Sequence, residues 1–349
     1  MASIDVPSPS FDRKKAPVFA IGSPRSGTTL LFHSLLSAGN FAVFRSETWV
    51  FNALVPRYGD LANPRNRERL VEDWLKSDLH KLSGLEAGDI RAKLMAGCRN
   101  GGDFLRIVME NVALKQNAGR WAETTPAHLL YMREIKKTIP NALFLHIIRD
   151  GRDVANSLAR QGWAQPLPWD RKKPVVVAAM YWNWMLRRGR ADGAALGPDY
   201  MEVRYEDLVE KPQPTLDRIG AFIAQELDYE RIQKNAIGSV KNPNTSFSGS
   251  SSSFVGRWRE TMQADELAEV ECVIGPFLQE LGYELSAKTK PKSAARLKTS
   301  KALYMPYLDF RFHMKHMPLL GRMFATAEIL TPGYVSGLAH SLPWAGADR

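Results

Sequence analysis

The run Pro17-Val18-Phe19-Ala20-Ile21 empties into Gly22-Ser23-Pro24-Arg25-Ser26-Gly27-Thr28-Thr29, and an apolar helical pattern follows from Leu30 to Leu36. No other stretch constrains the fold as much. A buried strand that passes through a glycine-bearing turn into a helix is the unit from which parallel α/β sheets are wound. The same geometry makes an anion site, because backbone N–H groups of the turn and the helix N-terminus converge on one point, helped by the helix dipole. Further along, Ala142 to Ile148 is a continuous apolar run, as expected of a strand buried on both faces, and Tyr200 to Tyr205 reads as another strand. Helical patterns alternate with these strands, so βαβ units with right-handed crossovers are expected. The fold class is therefore α/β: a P-loop-like parallel sheet flanked by helices, with a helical cap insertion over about 63–117 and a C-terminal extension.

Gly22 and Gly27 have the spacing of the nucleotide-binding loop G-x-x-x-x-G-K-[ST], but Thr28 stands where that motif has its lysine. The loop's cation is Arg25 instead. A triphosphatase without the lysine loses its hold on the transferred phosphate, so this loop is expected to serve a different phosphate-like group. The chain of 349 residues carries 47 Lys+Arg against 37 Asp+Glu, a net charge of +10 that favours anionic ligands. Its two cysteines, Cys98 and Cys272, lie far apart without a C-x-x-C partner, which argues against a disulfide scaffold or a cysteine metal site. Residues 1–15 are polar and proline-containing and read as a flexible N-terminus. With no apolar leader and no stretch long enough to span a bilayer, a cytoplasmic location is expected. Residues 16–285 read as the main domain and 286–349 as a basic, partly apolar extension. Asn242 to Ser253, rich in Ser, Asn and Gly, reads as a mobile loop, either a linker or a gate.

A second anion element is Arg149-Asp150-Gly151-Arg152-Asp153-Val154-Ala155-Asn156-Ser157, in which a strand-end arginine and a helix-borne serine can face one phosphate. Together, P-R-S-G-T-T and R-D-G-R-D-V-A-N-S resemble the sulfotransferase superfamily that uses 3′-phosphoadenosine-5′-phosphosulfate (PAPS). Arginine in the first loop is similar to the tyrosylprotein and bacterial branch. The resemblance covers about 17–259. It implies that Arg25, Ser26, Gly27, Thr28 and Thr29 hold the 5′-phosphosulfate, and that Arg149 and Ser157 bind the 3′-phosphate. It further implies that Tyr205 of V-R-Y-E-D-L approaches the adenine, and that Arg257 of V-G-R-W-R lies near the 3′-phosphate. Glu47, followed by Thr48, matches the branch's catalytic base, with Arg25 also catalytic through charge neutralisation. Two positions depart from the pattern. Thr124 replaces a lysine that many relatives carry, and Gly256 replaces a serine, with Ser253 nearby.

Sulfuryl transfer resembles phosphoryl transfer, where positioning and electrostatic stabilisation dominate, and a carboxylate can take the acceptor's proton. The expected activity is transfer from PAPS to a hydroxyl or amine, releasing PAP, with no metal. The acceptor class stays open among small molecules, lipids, sugars and peptides, with no nucleic acid expected, and the oligomeric state stays open. An atypical P-loop kinase is the alternative enzyme, kept alive by Asp150 at a strand end; a non-catalytic nucleotide-binding protein is the other. His33, His146, Trp182 and Trp184 read as packed core residues. The basic extension reads as a linker plus a packed helix, with peripheral membrane contact as its competitor.

Overall fold

The computed structural model describes residues 11–161, 173–238, 240 and 255–317. Strands β1 (Val18–Ile21), β2 (Phe41–Ala42), β3 (Arg120–Glu123), β4 (Leu143–Ile148) and β5 (Tyr200–Arg204) form one five-stranded sheet in the order β2-β3-β1-β4-β5. All pairings are parallel, with Val18 opposite both Ala122 and Leu143, and Ile148 opposite Arg204. Every residue of β1, β3 and β4 is buried; β1 and β4 accordingly read as apolar runs, whereas β3 begins and ends on the buried charged residues Arg120 and Glu123. The chain leaves β1 toward β2 and β3 on one side and toward β4 and β5 on the other. The loop after β1 therefore sits at the point where the winding reverses, the usual ligand crevice of an open α/β sheet.

Helix α1 (Thr28–Ser37) follows β1 directly. After β2 a π-helical turn, Val50–Leu54, runs into α2 (Val55–Tyr58). The cap is α3 (Pro64–Lys76), α4 (Asp78–Ser83), α5 (Ala87–Gly97) and α6 (Gly101–Lys115). Its helix starts carry their own signals: Asn63, Ser77, Glu86 and Asn100 each accept a first-turn backbone N–H. A 3-10 turn, Pro126–Tyr131, and α7 (Met132–Thr138) connect β3 to β4. Helices α8 (Gly151–Gln161) and α9 (Pro174–Ala194) follow β4, and α10 (Tyr205–Glu210), α11 (Pro212–Ile223) and α12 (Tyr229–Asn235) follow β5. The chain continues through α13 (Trp258–Thr261), α14 (Ala264–Glu280) and α15 (Ala294–His316).

Strand β2 ends at Ala42, because the Gln116 side chain takes both Val43 backbone groups, accepting from its N–H at 2.7 Å and donating to its C=O at 3.0 Å. The basic segment after residue 290 folds as α15 against α9 and α14, burying Leu297, Tyr304 and Leu308 in the same core as the cap. Asp309 anchors it by accepting from Trp184 Nε1 at 2.9 Å and from Arg188 at 2.8 Å. Among the described residues, no helix is long and apolar enough to cross a membrane. The N-terminal ten residues, the loop 242–253 with Ser253, and the chain beyond 317 lie outside the described residues.

Candidate active site

The turn after β1 is shaped by two glycines and one strained arginine. A Cβ on Gly22 would stand 2.6 Å from the Ile147 carbonyl oxygen, and one on Gly27 would stand 2.4 Å from the Tyr205 ring. Gly27 also has φ +97° and Arg25 has φ +71°, the left-handed region that costs a non-glycine residue free energy. Gly27 is the N-cap of α1, and no side chain among the described residues caps that helix. The first N–H groups of a helix have no intrahelical partner, so here they stay directed at the crevice. Ser26 is fully buried and its Oγ has no hydrogen-bond partner, Thr28 is buried and Thr29 is exposed on the first turn.

The second element meets this loop. Arg25 Nε donates to Ser157 Oγ at 2.8 Å across 132 residues of chain, and Arg149 Nη1 donates to the Arg25 carbonyl at 3.4 Å. The Arg149 guanidinium lies 4.3 Å over the Tyr205 ring and pairs with Asp153 at 3.3 Å. Burial, then the neighbouring Arg149 charge, hold the Arg25 guanidinium below the usual arginine range. Two clustered arginines in a half-closed crevice create a strong demand for an anion.

The late loop is tied to the same place. Asp153 accepts from Gly256 N at 3.0 Å and from Trp258 N at 2.9 Å, and Asp150 accepts from Trp258 Nε1 at 3.1 Å. Arg257 caps α13 within electrostatic reach of the Tyr205 hydroxyl. Beneath it Arg152, 1% exposed, bridges Asp150 at 2.8 Å and Glu271 at 2.6 Å and lies 3.8 Å over the Trp258 ring. Arg152→Ala would leave two buried carboxylates uncompensated. We expect a loss of about 3–5 kcal/mol in unfolding free energy by urea denaturation. A change below about 1 kcal/mol would contradict this account. Asp150 is thus engaged by Arg152 and Trp258, not aimed at a phosphate crevice, and among the described residues no cluster of metal-ligating side chains forms.

Glu47 lies beyond the end of β2, beside a buried network at the end of β3. Glu123 accepts from Thr48 Oγ1 at 2.8 Å and from Thr125 Oγ1 at 2.5 Å, while Thr125 Oγ1 accepts from Thr48 N at 3.0 Å. His128 Nε2 accepts from Phe51 N at 3.3 Å, so its proton is on Nδ1, which donates to Glu123 at 3.0 Å. Desolvation raises the Glu123 pKa, but three partners, His128 chiefly and then Thr125 and Thr48, outweigh it and leave the pKa lowered. Glu47 responds oppositely. Desolvation first, and then the Glu123 charge, push its pKa up to about 8, although a hydrogen bond with Trp49 works against both. A carboxyl with such a pKa has the value that a general base working at neutral or mildly alkaline pH requires.

Thr124 turns away from the crevice and donates to the Ala20 carbonyl at 3.1 Å, so the substituted lysine position carries no polar group into the site. His33 is buried, and its pKa falls to about 4 through desolvation and then the Arg45 charge. His146 is buried with Nδ1 2.6 Å from the Tyr200 hydroxyl, and Trp182 is fully buried. Sequence reasoning passed over Glu123, His128 and Asp153. A carboxylate closing the short strand β3, and a second aspartate one helical turn after Arg149, were the signals available.

Comparison with known proteins agrees with this geometry. Residues 17–231 match the family model described as "Sulfotransferase family". A putative protein-tyrosine sulfotransferase of Caenorhabditis briggsae is 25% identical over 190 residues, which cover 50% of this chain and 64% of that protein. The match thus spans less than two thirds of the nematode protein's own length. Protein-tyrosine sulfotransferase A of Caenorhabditis elegans is 24% identical over 294 residues, covering 79% of this chain and 70% of that one. Among solved structures, the sulfotransferase domain of the Synechococcus PCC 7002 olefin synthase superposes with a TM-score of 0.51 at 18% identity, covering 80% of this chain and 98% of that one. The sulfotransferase domain of the curacin biosynthetic pathway does so with 0.52 at 18% identity, covering 78% and 99%. These two share the fold. With the loop after β1, the arginine–serine element after β4 and the parallel sheet all inside the matched span, the chain belongs to the sulfotransferase family.

Proposed function

We propose that the chain moves a sulfuryl group from PAPS to a hydroxyl or amine of an acceptor and releases PAP. The observation that carries this reading is the 2.8 Å hydrogen bond from Arg25 Nε to Ser157 Oγ, which joins the two anion elements into one crevice. The residues present fit such a ligand. Ser26 Oγ and the Tyr205 hydroxyl are buried without hydrogen-bond partners, an arrangement that costs free energy unless a ligand satisfies it. PAPS, when bound, supplies a sulfuryl group on a good leaving group.

In this reading the α1 N-terminus and Ser26, Gly27, Thr28 and Thr29 hold the 5′ end through backbone and hydroxyl donors. Arg25 spans the bridging and sulfuryl oxygens with its planar fork and neutralises charge as it shifts toward the leaving group. Arg149, Ser157 and Arg257 hold the 3′-phosphate, and Tyr205 keeps Arg149 in place by stacking under it. Glu47 orients the acceptor and takes its proton on a carboxylate oxygen. The names of the nematode relatives make a tyrosyl hydroxyl the first acceptor to try. The kinase alternative finds little support, since Asp150 is bonded to Arg152 and Trp258.

The test is selective loss. Arg149→Ala should weaken PAP by about 10–100-fold, as expected for a hydrogen bond to a charged group, while binding of adenosine 5′-phosphosulfate barely changes. Equal losses for both ligands in calorimetry would rule out a 3′-phosphate contact.

A further inference from the structure

The segment that lies outside the span matched by the family model brings its own side chains to a cavity beside the catalytic turn. Helix α15 closes a space of about 210 Å³ against α9, the π-helical turn and the 3-10 turn. Its walls include Asn52, Tyr131, Trp184 and Phe312, with Arg311 and Lys315 as the charged lining residues and no carboxylate in the lining. The space is smaller than the roughly 300–1,000 Å³ of drug-sized sites, so it suits one ring and a short substituent.

Its position ties it to Glu47. Asn52, on the π-helical turn, follows Glu47 by five residues, and its side-chain oxygen is buried with no hydrogen-bond partner. Tyr131 packs edge-on against His128, which in turn holds Phe51 N and Glu123. The cavity and the proposed base therefore share one pair of turns. Two cations side by side on one wall repel each other, and burial adds to that cost. Desolvation, and then Arg311, lower the Lys315 pKa. An anion arriving between them would offset both effects, and the aromatic walls would cover an apolar body beside it.

We propose that this cavity seats the acceptor, and that the acceptor carries an anionic group next to an aromatic or apolar body. This rests on the sulfotransferase reading of the neighbouring crevice. The probes are 4-hydroxyphenyl alkanoic acids of increasing chain length, each paired with its neutral primary amide, titrated by calorimetry into the full chain with and without PAP. At least one acid should bind about tenfold or more tightly than its amide. Arg311→Gln with Lys315→Gln should erase that gap and leave the amide's affinity, and Ala127→Phe, which fills the cavity, should abolish binding of both. PAP affinity, unchanged in every variant, reports that each one folds; Lys315→Gln alone serves should the double variant fail to.

Acids and amides binding equally or not at all would overturn the proposal, as would a gap that survives loss of both cations. Failure of PAP to bind the wild type would instead remove the sulfotransferase reading, while the titrations without PAP still decide what the cavity takes.

Discussion

Glu47→Gln is expected to bind PAP as the wild type does and to lose about 10²–10⁴-fold in kcat, the usual worth of a positioned general base. The amide keeps the shape and cannot take a proton. The wild-type pH profile carries a second signature. Glu47 must be ionised to act, and its pKa is raised to about 8, so kcat/KM should rise roughly tenfold per pH unit below that value and level off above it. The residual activity of Glu47→Gln should lack this limb. The sign for stability is opposite. An unfolded carboxyl titrates near 4.5, so between there and about 8 the folded state holds a proton that the unfolded state has lost, and stability falls as pH rises through that window. Glu47→Gln removes that loss and should unfold at a higher temperature than the wild type at pH 8. A variant with wild-type turnover, or with the rise below about pH 8 unaltered, would end the base assignment.

The turn after β1 and its flanking strands were legible because local rules make them. The turn after β1 needs glycine where Ile147 and Tyr205 approach, and the apolar runs of β1 and β4 announce strands buried on both faces. The pairing of Arg25 with Ser157 was legible only as two motifs, since 132 residues separate them and the sheet order alone brings them together. The network around Glu123 was not legible. Its members come from the turns after β2 and β3, which lie side by side only because β3 is inserted between β2 and β1. The packed helix read in the basic extension is α15: Leu297, Tyr304 and Leu308 recur at helical spacing and are buried, while Leu303 and Phe310, 53% and 61% exposed, blur that stripe, so what the helix packs against was not legible.

Arg25→Ala is expected to lower kcat by about 10²–10³-fold, the effect of removing one preorganised donor from a developing charge. Most buried arginines cannot be removed without damage to the fold, and Arg152 is one of these. Arg25 differs because its surroundings oppose it. It sits at φ +71°, burial and then the Arg149 charge lower its pKa, and its Nε donates to the hydroxyl of Ser157. Removing a cation from beside another cation relieves repulsion, so the thermal midpoint of Arg25→Ala should be no lower than that of the wild type. Arg25→Lys restores the charge without the planar fork, and should recover only part of the rate. That combination, a stable fold with a crippled rate, separates a group held for chemistry from one held for structure. A well-folded Arg25→Ala enzyme that turns over at the wild-type rate would show that the loop after β1 does not grip the transferred group.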